Sequence, residues 1–280
     1  MKRMYLLGSP VAHSKSPLMH NEAFSLLNFD YHYSALDIKP EEFSSTIEEL
    51  RTPDVRGFNL TMPHKTAACQ FCEHLSPAAQ LIGSINTVVN ENGVFTGYAT
   101  DGIGFMRAVS EAGCDIKNKK MTILGAGGAA TAIFVQAALD GIPEITIFSR
   151  RGNFFSRAES IIQNLKSYSS STISLYDFDD EKILRKEIQE SSLLVNATSV
   201  GMAPNTNASI ITDKSIFHKD LFVADIIYNP EETKFLRLAK EAGCQTQNGL
   251  NMLLYQGAEA FKLWTGQEMP VNIIKEKYFT

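Results

Sequence analysis

The stretch Met121-Thr-Ile-Leu124-Gly125-Ala126-Gly127-Gly128-Ala129-Ala130-Thr131-Ala132-Ile-Phe-Val-Gln-Ala-Ala-Leu139 decides the fold of this chain. A β-type run, Met121–Leu124, passes directly into a glycine-rich turn, and the turn opens an apolar stretch, Ala132–Leu139, with helical spacing. A glycine turn gains meaning when it sits between a strand and a helix. There the glycines let the chain reverse tightly, and backbone N–H groups at the helix N-terminus can approach the charge of a pyrophosphate. Gly125, Ala126, Gly127, Gly128 and Ala129 are therefore candidate dinucleotide-binding residues. A turn kept for packing alone is the other reading of the same residues.

Working outward, further β-type runs follow at Glu144–Phe148, Thr172–Tyr176, Leu193–Asn196 and Leu221–Asp225, with helical segments between several of them. They resemble successive strands of a doubly wound sheet. Toward the N-terminus the runs Met4–Leu7, Tyr31–Leu36, Gly57–Leu60 and Ile85–Val89 alternate with helical spacing such as Pro17–Leu27 and Pro40–Leu50. That alternation predicts a mostly parallel sheet covered by helices. Beyond Gly249, Met252–Leu263 and Val271–Lys277 have the spacing of amphipathic helices. The expected fold is α/β in two domains. An N-terminal α/β substrate domain, 1–103 plus 248–280, joins a Rossmann-like doubly wound NAD(P)-binding domain, 104–247, with the seam near Asp101–Gly104.

Composition narrows the class. The 280 residues are 44% hydrophobic and 20% charged, without a low-complexity tract, which suits a globular chain long enough for two cores. A formal net charge of -5 argues against a nucleic-acid or anionic-membrane surface, either of which needs clustered Lys and Arg. No apolar run approaches the roughly 20 residues needed to cross a bilayer, and no signal segment is evident, so a soluble cytoplasmic protein is expected. Cys69-x-x-Cys72 lacks a second suitably spaced pair, so no metal site is expected and the thiols are read as reduced cysteines on a helix.

About 20 residues past the glycine turn, where an NAD enzyme offers an acid to the ribose, this chain has Ser149-Arg150-Arg151-Gly152-Asn153. Two guanidiniums suit a 2′-phosphate, which favours NADP, with NAD as the alternative cofactor. If the arginines are solvated instead, the two cofactors are comparable. In the N-terminal half, polar groups collect at the ends of predicted strands: Ser14-Lys15-Ser16-Pro17, Asn59-Leu60-Thr61-Met62-Pro63-His64-Lys65, Ile85-Asn86-Thr87 and Thr100-Asp101-Gly102. Strand ends are where open α/β sheets bind ligands. Each group alone has a plainer role: Ser14 or Ser16 as a helix cap before Pro17, Lys65 as a surface charge, Asp101 as a turn residue. The combination is what carries information.

Those groups, in this order, resemble the signatures of the shikimate dehydrogenase family. Gly125–Ala130, Asn196-Ala-Thr198-x-x-Gly201-Met202, Tyr228-Asn229-Pro230 and Gln256-Gly-Ala continue the resemblance over nearly the whole chain. Arg150-Arg151-x-x-Phe154-Phe155 and Leu254–Glu259 are similar to the quinate/shikimate branch of broader substrate range, which often carries an acid where this chain has Gly152. Serine at both 14 and 16 resembles the shikimate-selective members.

The resemblance implies an NADP-dependent oxidoreductase that interconverts 3-dehydroshikimate and shikimate, a step toward chorismate and the aromatic amino acids. Lys65 and Asp101 would be its catalytic pair. Ser14 and Ser16, with Tyr228, would bind the substrate carboxylate, and Asn59, Thr61, Asn86 and Gln256 the ring hydroxyls. Ser149, Arg150 and Arg151 would hold the adenosine side of the cofactor, and Thr198, Met202, Gly249 and Met252 the nicotinamide side. Expected partners are small molecules only, in a monomer or homodimer. The competing readings are a quinate/shikimate dehydrogenase using NAD or NADP, and a nucleotide-sensing regulator without turnover. A sensor has no need of a proton-transfer pair. A serine hydrolase lacks its Gly-x-Ser-x-Gly elbow.

Overall fold

The computed structural model describes residues 1–279. The chain divides into two compact units, one of Met1–Gly104 together with the stretch from Leu254 onward, the other of Phe105–Leu253. The C-terminal return thus begins at 254 rather than 248.

The first unit opens with β1 (Lys2–Gly8), α1 (Ser16–Leu26), β2 (Tyr31–Asp37), α2 (Phe43–Glu49) and β3 (Val55–Leu60). It continues with β4 (His74–Leu75), α3 (Pro77–Ile82), β5 (Thr87–Glu91) and β6 (Val94–Tyr98). Its sheet runs β2-β1-β3-β5-β6-β4. β1 pairs in parallel with β2 and β3, and β4 with β6, but β5 is antiparallel to both β3 and β6. The sheet is mostly parallel, as expected, with β5 as its antiparallel strand. Asn92 and Gly93 account for the antiparallel β5–β6 pair: both have positive φ, at 56° and 92°, as a two-residue type I′ hairpin turn demands.

Pro17 in the first turn opens α1, and its inner face buries Met19, His20, Ala23 and Phe24. His20 is wholly buried, stacked on Tyr33 at 4.6 Å and tilted against Trp264 at 5.2 Å, and neither ring nitrogen has a hydrogen-bond partner. Burial pushes its pKa down to about 3. Between that value and the ordinary 6.5 the unfolded chain takes up a proton that the native state refuses. Stability is therefore lost as pH falls below 6.5, by roughly 2 kcal/mol at pH 5 for this group alone. His20→Phe keeps the ring stack and should remove that loss in urea titrations at pH 8 and pH 5. Parallel losses in variant and wild type would show that His20 does not set the acid limit.

The second unit follows α4 (Thr100–Glu111), whose first turn belongs to the first unit. It contains β7 (Lys120–Leu124), α5 (Gly128–Leu139), β8 (Glu144–Ser149), α6 (Asn153–Leu165), β9 (Thr172–Asp177) and α7 (Glu181–Gln189). β10 (Leu193–Asn196), β11 (Phe222–Asp225), α8 (Lys234–Glu241) and β12 (Gln245–Gln247) complete its sheet. α9 (Leu250–Thr265) and α10 (Val271–Tyr278) end the chain. Every pairing in the order β12-β11-β10-β7-β8-β9 is parallel. That is a doubly wound sheet whose strand order reverses between β7 and β10, so its ligand crevice is expected at the carboxyl ends of those two strands. α5 is apolar nearly all round and buried along its length, as a helix must be to start at that crevice and cross the sheet.

Candidate active site

In the first unit, the end of β3, the loop after it, the start of β5 and the first turn of α4 converge. Lys65 lies in the loop. Its neighbour His64 fixes that loop: the ring is buried, stacks on Phe43 at 4.2 Å, and bonds the Ile38 carbonyl through Nε2 at 2.7 Å. The Ile85 N–H donates to the Lys65 carbonyl at 2.9 Å. So held, Lys65 Nζ donates to Asp101 Oδ2 at 2.5 Å, with the two side chains 31% and 21% exposed. The pair is sheltered yet reachable.

Asp101 stands in the first turn of α4, where the helix N-terminus favours negative charge. Its other oxygen, Oδ1, accepts Asn86 Nδ2 at 2.9 Å. Asn86 also approaches Thr100 Oγ1 at 2.9 Å and Gln256 Oε1 at 3.2 Å, and its Oδ1 accepts the Thr100 N–H at 2.7 Å. The asparagine thereby caps α4 and aims the carboxylate at once. Such a pair can release or take up one proton at a lysine nitrogen while a fixed carboxylate stabilises the ammonium.

Ser14 and Ser16 sit at the opening of α1. Ser14 Oγ accepts the Ser16 N–H at 3.2 Å in a local turn and Ser16 is buried; the N-cap position of α1 is Lys15, without a side-chain cap, so neither serine caps the helix as their spacing allowed. Thr61 follows β3 and is half-buried. Asn59 is placed differently from its expected role: it is buried and both amide hydrogens go to protein acceptors, the Asn86 carbonyl at 3.0 Å and Thr87 Oγ1 at 2.9 Å. It supports Asn86 instead of offering a donor to a ligand.

In the second unit a cavity of about 480 Å³ lies at the carboxyl ends of β7, β8 and β10. Gly125, Ala126, Gly127, Ser149, Arg150, Arg151 and Thr198 line it, and Gly128 and Ala129 continue into α5. Gly125 has φ +116°, and a Cβ there would stand 2.9 Å from the Ala197 carbonyl oxygen, so the turn needs glycine for its own geometry. Gly127 and Gly128 differ. A Cβ on either would meet no protein atom within 4 Å, so their bareness serves space outside the protein, as a diphosphate resting on the N-terminus of α5 requires.

The two arginines are not equivalent. Arg151 donates to Asp177 Oδ2 at 3.1 Å and lies 4.0 Å over the Phe155 ring. Arg150 is exposed on the cavity wall and has no ion pair among the described residues. Thr198 is tied to Asn196 Oδ1 at 2.7 Å, and Asn196 in turn donates to the buried Asp225 at 3.1 Å. Gly249 has a packing duty, since a Cβ would stand 1.9 Å from the Ile226 carbonyl oxygen. Met202 and Tyr228 are largely exposed and Met252 half-buried; none of these three, nor Gly249, lines the cavity.

Residues 6–88 match the sequence pattern of the shikimate dehydrogenase substrate binding domain, and 249–277 that of the shikimate 5'-dehydrogenase C-terminal domain. A shikimate dehydrogenase (NADP(+)) of Listeria monocytogenes is 48% identical over 274 residues, covering 98% of this chain and 94% of the relative. The chain belongs to the shikimate dehydrogenase family. A crystal structure of shikimate 5-dehydrogenase from Listeria monocytogenes in complex with shikimate and NAD has a TM-score of 0.95 at 48% identity, covering 99% of this chain and 96% of that one. Quinate dehydrogenase from Corynebacterium glutamicum in complex with NAD has a TM-score of 0.86 at 26% identity, covering 99% and 98%.

The shikimate dehydrogenase fold also brings to the cavity Gly152, Asn153, Phe154 and Ala197, quoted in the sequence motifs without a role of their own, together with Phe178 and Ser199, which were not singled out from sequence. Ala197 and Ser199 follow β10, so the switch-point rule would have found them once the strand order was drawn. Phe154 is 60% exposed and stands on the cavity wall. Among the described residues no cluster of His, Cys, Asp or Glu suits a metal, and no helix is long and apolar enough to cross a membrane. The cysteines are free thiols. Cys69 lies in a 3-10 turn with Cys72 just past it, and burial pushes the Cys72 thiol up to about 12, far from a reactive thiolate.

Proposed function

We propose that this chain catalyses the reversible, NADP-dependent reduction of 3-dehydroshikimate to shikimate. The observation that carries the proposal is the Lys65 ammonium 2.5 Å from Asp101, with Asn86 holding the second carboxylate oxygen, in the unit that matches the substrate binding domain. The NADP(+)-dependent relatives support the cofactor, and bare Gly127 and Gly128 with Arg150, which has no ion pair among the described residues, fit its phosphates.

When bound, the nicotinamide supplies or accepts the hydride. The chain's own residues handle the proton and the charge. Lys65 donates a proton to the oxygen of the ketone as it becomes a hydroxyl, and takes it back in the reverse direction. Its positive charge stabilises the developing alkoxide. Asp101 keeps the ammonium aimed and bonds a ring hydroxyl. Ser14 and Ser16 bind the substrate carboxylate, and Thr61, Asn86 and Gln256 the hydroxyls. A net charge of -5 suits an enzyme working free in the cytoplasm on small molecules.

Absorbance at the reduced-nicotinamide band, with shikimate or quinate each paired with NADP or NAD, tests the proposal. Shikimate with NADP should give the highest kcat/KM. Faster turnover of quinate with NAD would move the chain to the broader branch, and no turnover with any pairing would defeat the assignment.

A further inference from the structure

We propose that Tyr33 is a positioning residue for the catalytic pair, acting through Asn59; the inference rests on the reading that Lys65 and Asp101 carry the reaction. Asn59 stands at the end of β3 with only 5% of its surface exposed. Its Nδ2 donates to the Asn86 carbonyl, and a carbonyl accepts only from the nitrogen end of the amide. Oδ1 must therefore face the other way, where the Tyr33 hydroxyl donates to it at 2.8 Å. The phenol thus supplies the one donor to the amide end that the Asn86 carbonyl leaves facing inward.

From there the links are direct. Asn59 pins the main chain of Asn86 and the hydroxyl of Thr87. Asn86 donates to Asp101 Oδ1, and Asp101 Oδ2 holds the Lys65 ammonium. Four hydrogen bonds, one of them to a main-chain carbonyl, join the phenol to the proton-transfer nitrogen, the first two buried, where hydrogen bonds reinforce one another and an unpaired member is costly.

Tyr33 is built for the part. Its ring is wedged between His20 at 4.6 Å and Trp264 at 5.9 Å, and Asn21 brackets its backbone with two bonds of 2.8 Å. Burial holds the phenol well above its ordinary pKa, so it stays a donor. Without the hydroxyl, Asn59 Oδ1 is buried and unpaired, and the amide must turn or shift, loosening Asn86 and with it Asp101.

The test is a double-mutant cycle on the full chain with Tyr33→Phe, Asn59→Ala and the pair. It is read by kcat and KM with ordinary and deuterated reduced NADP, and by exchange of the Asn86 side-chain amide in NMR spectra. Tyr33→Phe should lower kcat about tenfold with each KM within about threefold, the pattern of a small misplacement at the reacting centre. The primary isotope effect on kcat should rise and Asn86 exchange should quicken. The double variant should be no slower than Asn59→Ala, since one acts through the other. Unchanged kcat and exchange, additive losses, or a lower kcat with an unaltered isotope effect would overturn the inference, the last marking a smaller folded fraction. If Asn59→Ala does not fold, Thr87→Val takes its place. A wild type without turnover in the same assay overturns the functional reading instead, and Asn86 exchange in Tyr33→Phe then still decides the linkage.

Discussion

Lys65→Ala should lower kcat by about a thousandfold or more, since a positioned proton donor contributes 10²–10⁴-fold and this one also meets developing oxyanion charge. The KM for shikimate should change far less, because the groups assigned to its carboxylate and hydroxyls, from Ser14 to Gln256, stay in place. Folding should survive. The partly exposed pair contributes at most about 1 kcal/mol, and in its absence Asp101 keeps the Asn86 donor and the N-terminus of α4. Steady-state kinetics beside a thermal melt separate the two effects. A variant with near-wild-type kcat would remove Lys65 from the chemistry.

Lys65→Arg divides the two duties of the ammonium. A guanidinium keeps the positive charge but does not give up its proton near neutral pH. If proton transfer dominates, arginine should be nearly as slow as alanine. Recovery to within tenfold of wild type would mean that charge stabilisation is the larger part.

Much of this organisation was legible in the order of residue types. The strand, glycine turn and helix at 121–139 settle the second unit, because Gly125 has no alternative at φ +116° beneath the Ala197 carbonyl. Lys65 and Asp101 stand 36 residues apart, and nothing local to either says that they touch. Only the set of polar strand ends pointed to a common site, since parallel strands deliver their ends to one edge. The β5–β6 hairpin was open to reading and passed over: Asn92-Gly93 between β-type residues is the strongest short hairpin signal, and it breaks the parallel sheet. β4 and β12, of two and three residues, carry too little pattern to detect, being held by their neighbours' ladders rather than by their own periodicity. Asn59 was picked out from sequence, but its bond to Tyr33 was not, because which polar groups an amide faces depends on register between β2, β1 and β3.

The same limit applies to the arginine pair, where adjacent residues of one type do different things. Arg151 already spends its guanidinium on Asp177 and the Phe155 face, while Arg150 meets the cavity without an ion pair among the described residues. The 2′-phosphate that separates NADP from NAD should therefore draw mainly on Arg150. A charge-assisted hydrogen bond contributes about 1.5–3 kcal/mol, so Arg150→Ala should raise the KM for NADP about ten- to a hundredfold. The KM for NAD, which lacks that phosphate, should move no more than about threefold, the residue of lost stacking on the adenine. Arg151→Ala should act more evenly on both cofactors, since it frees Asp177 and unsettles the start of α6 instead of removing a phosphate ligand. Both variants need only the four-way nicotinamide assay. Equal shifts for NADP and NAD in Arg150→Ala would make it a solvated surface charge, and a larger discrimination from Arg151 would mean that it exchanges Asp177 for the phosphate when the cofactor arrives.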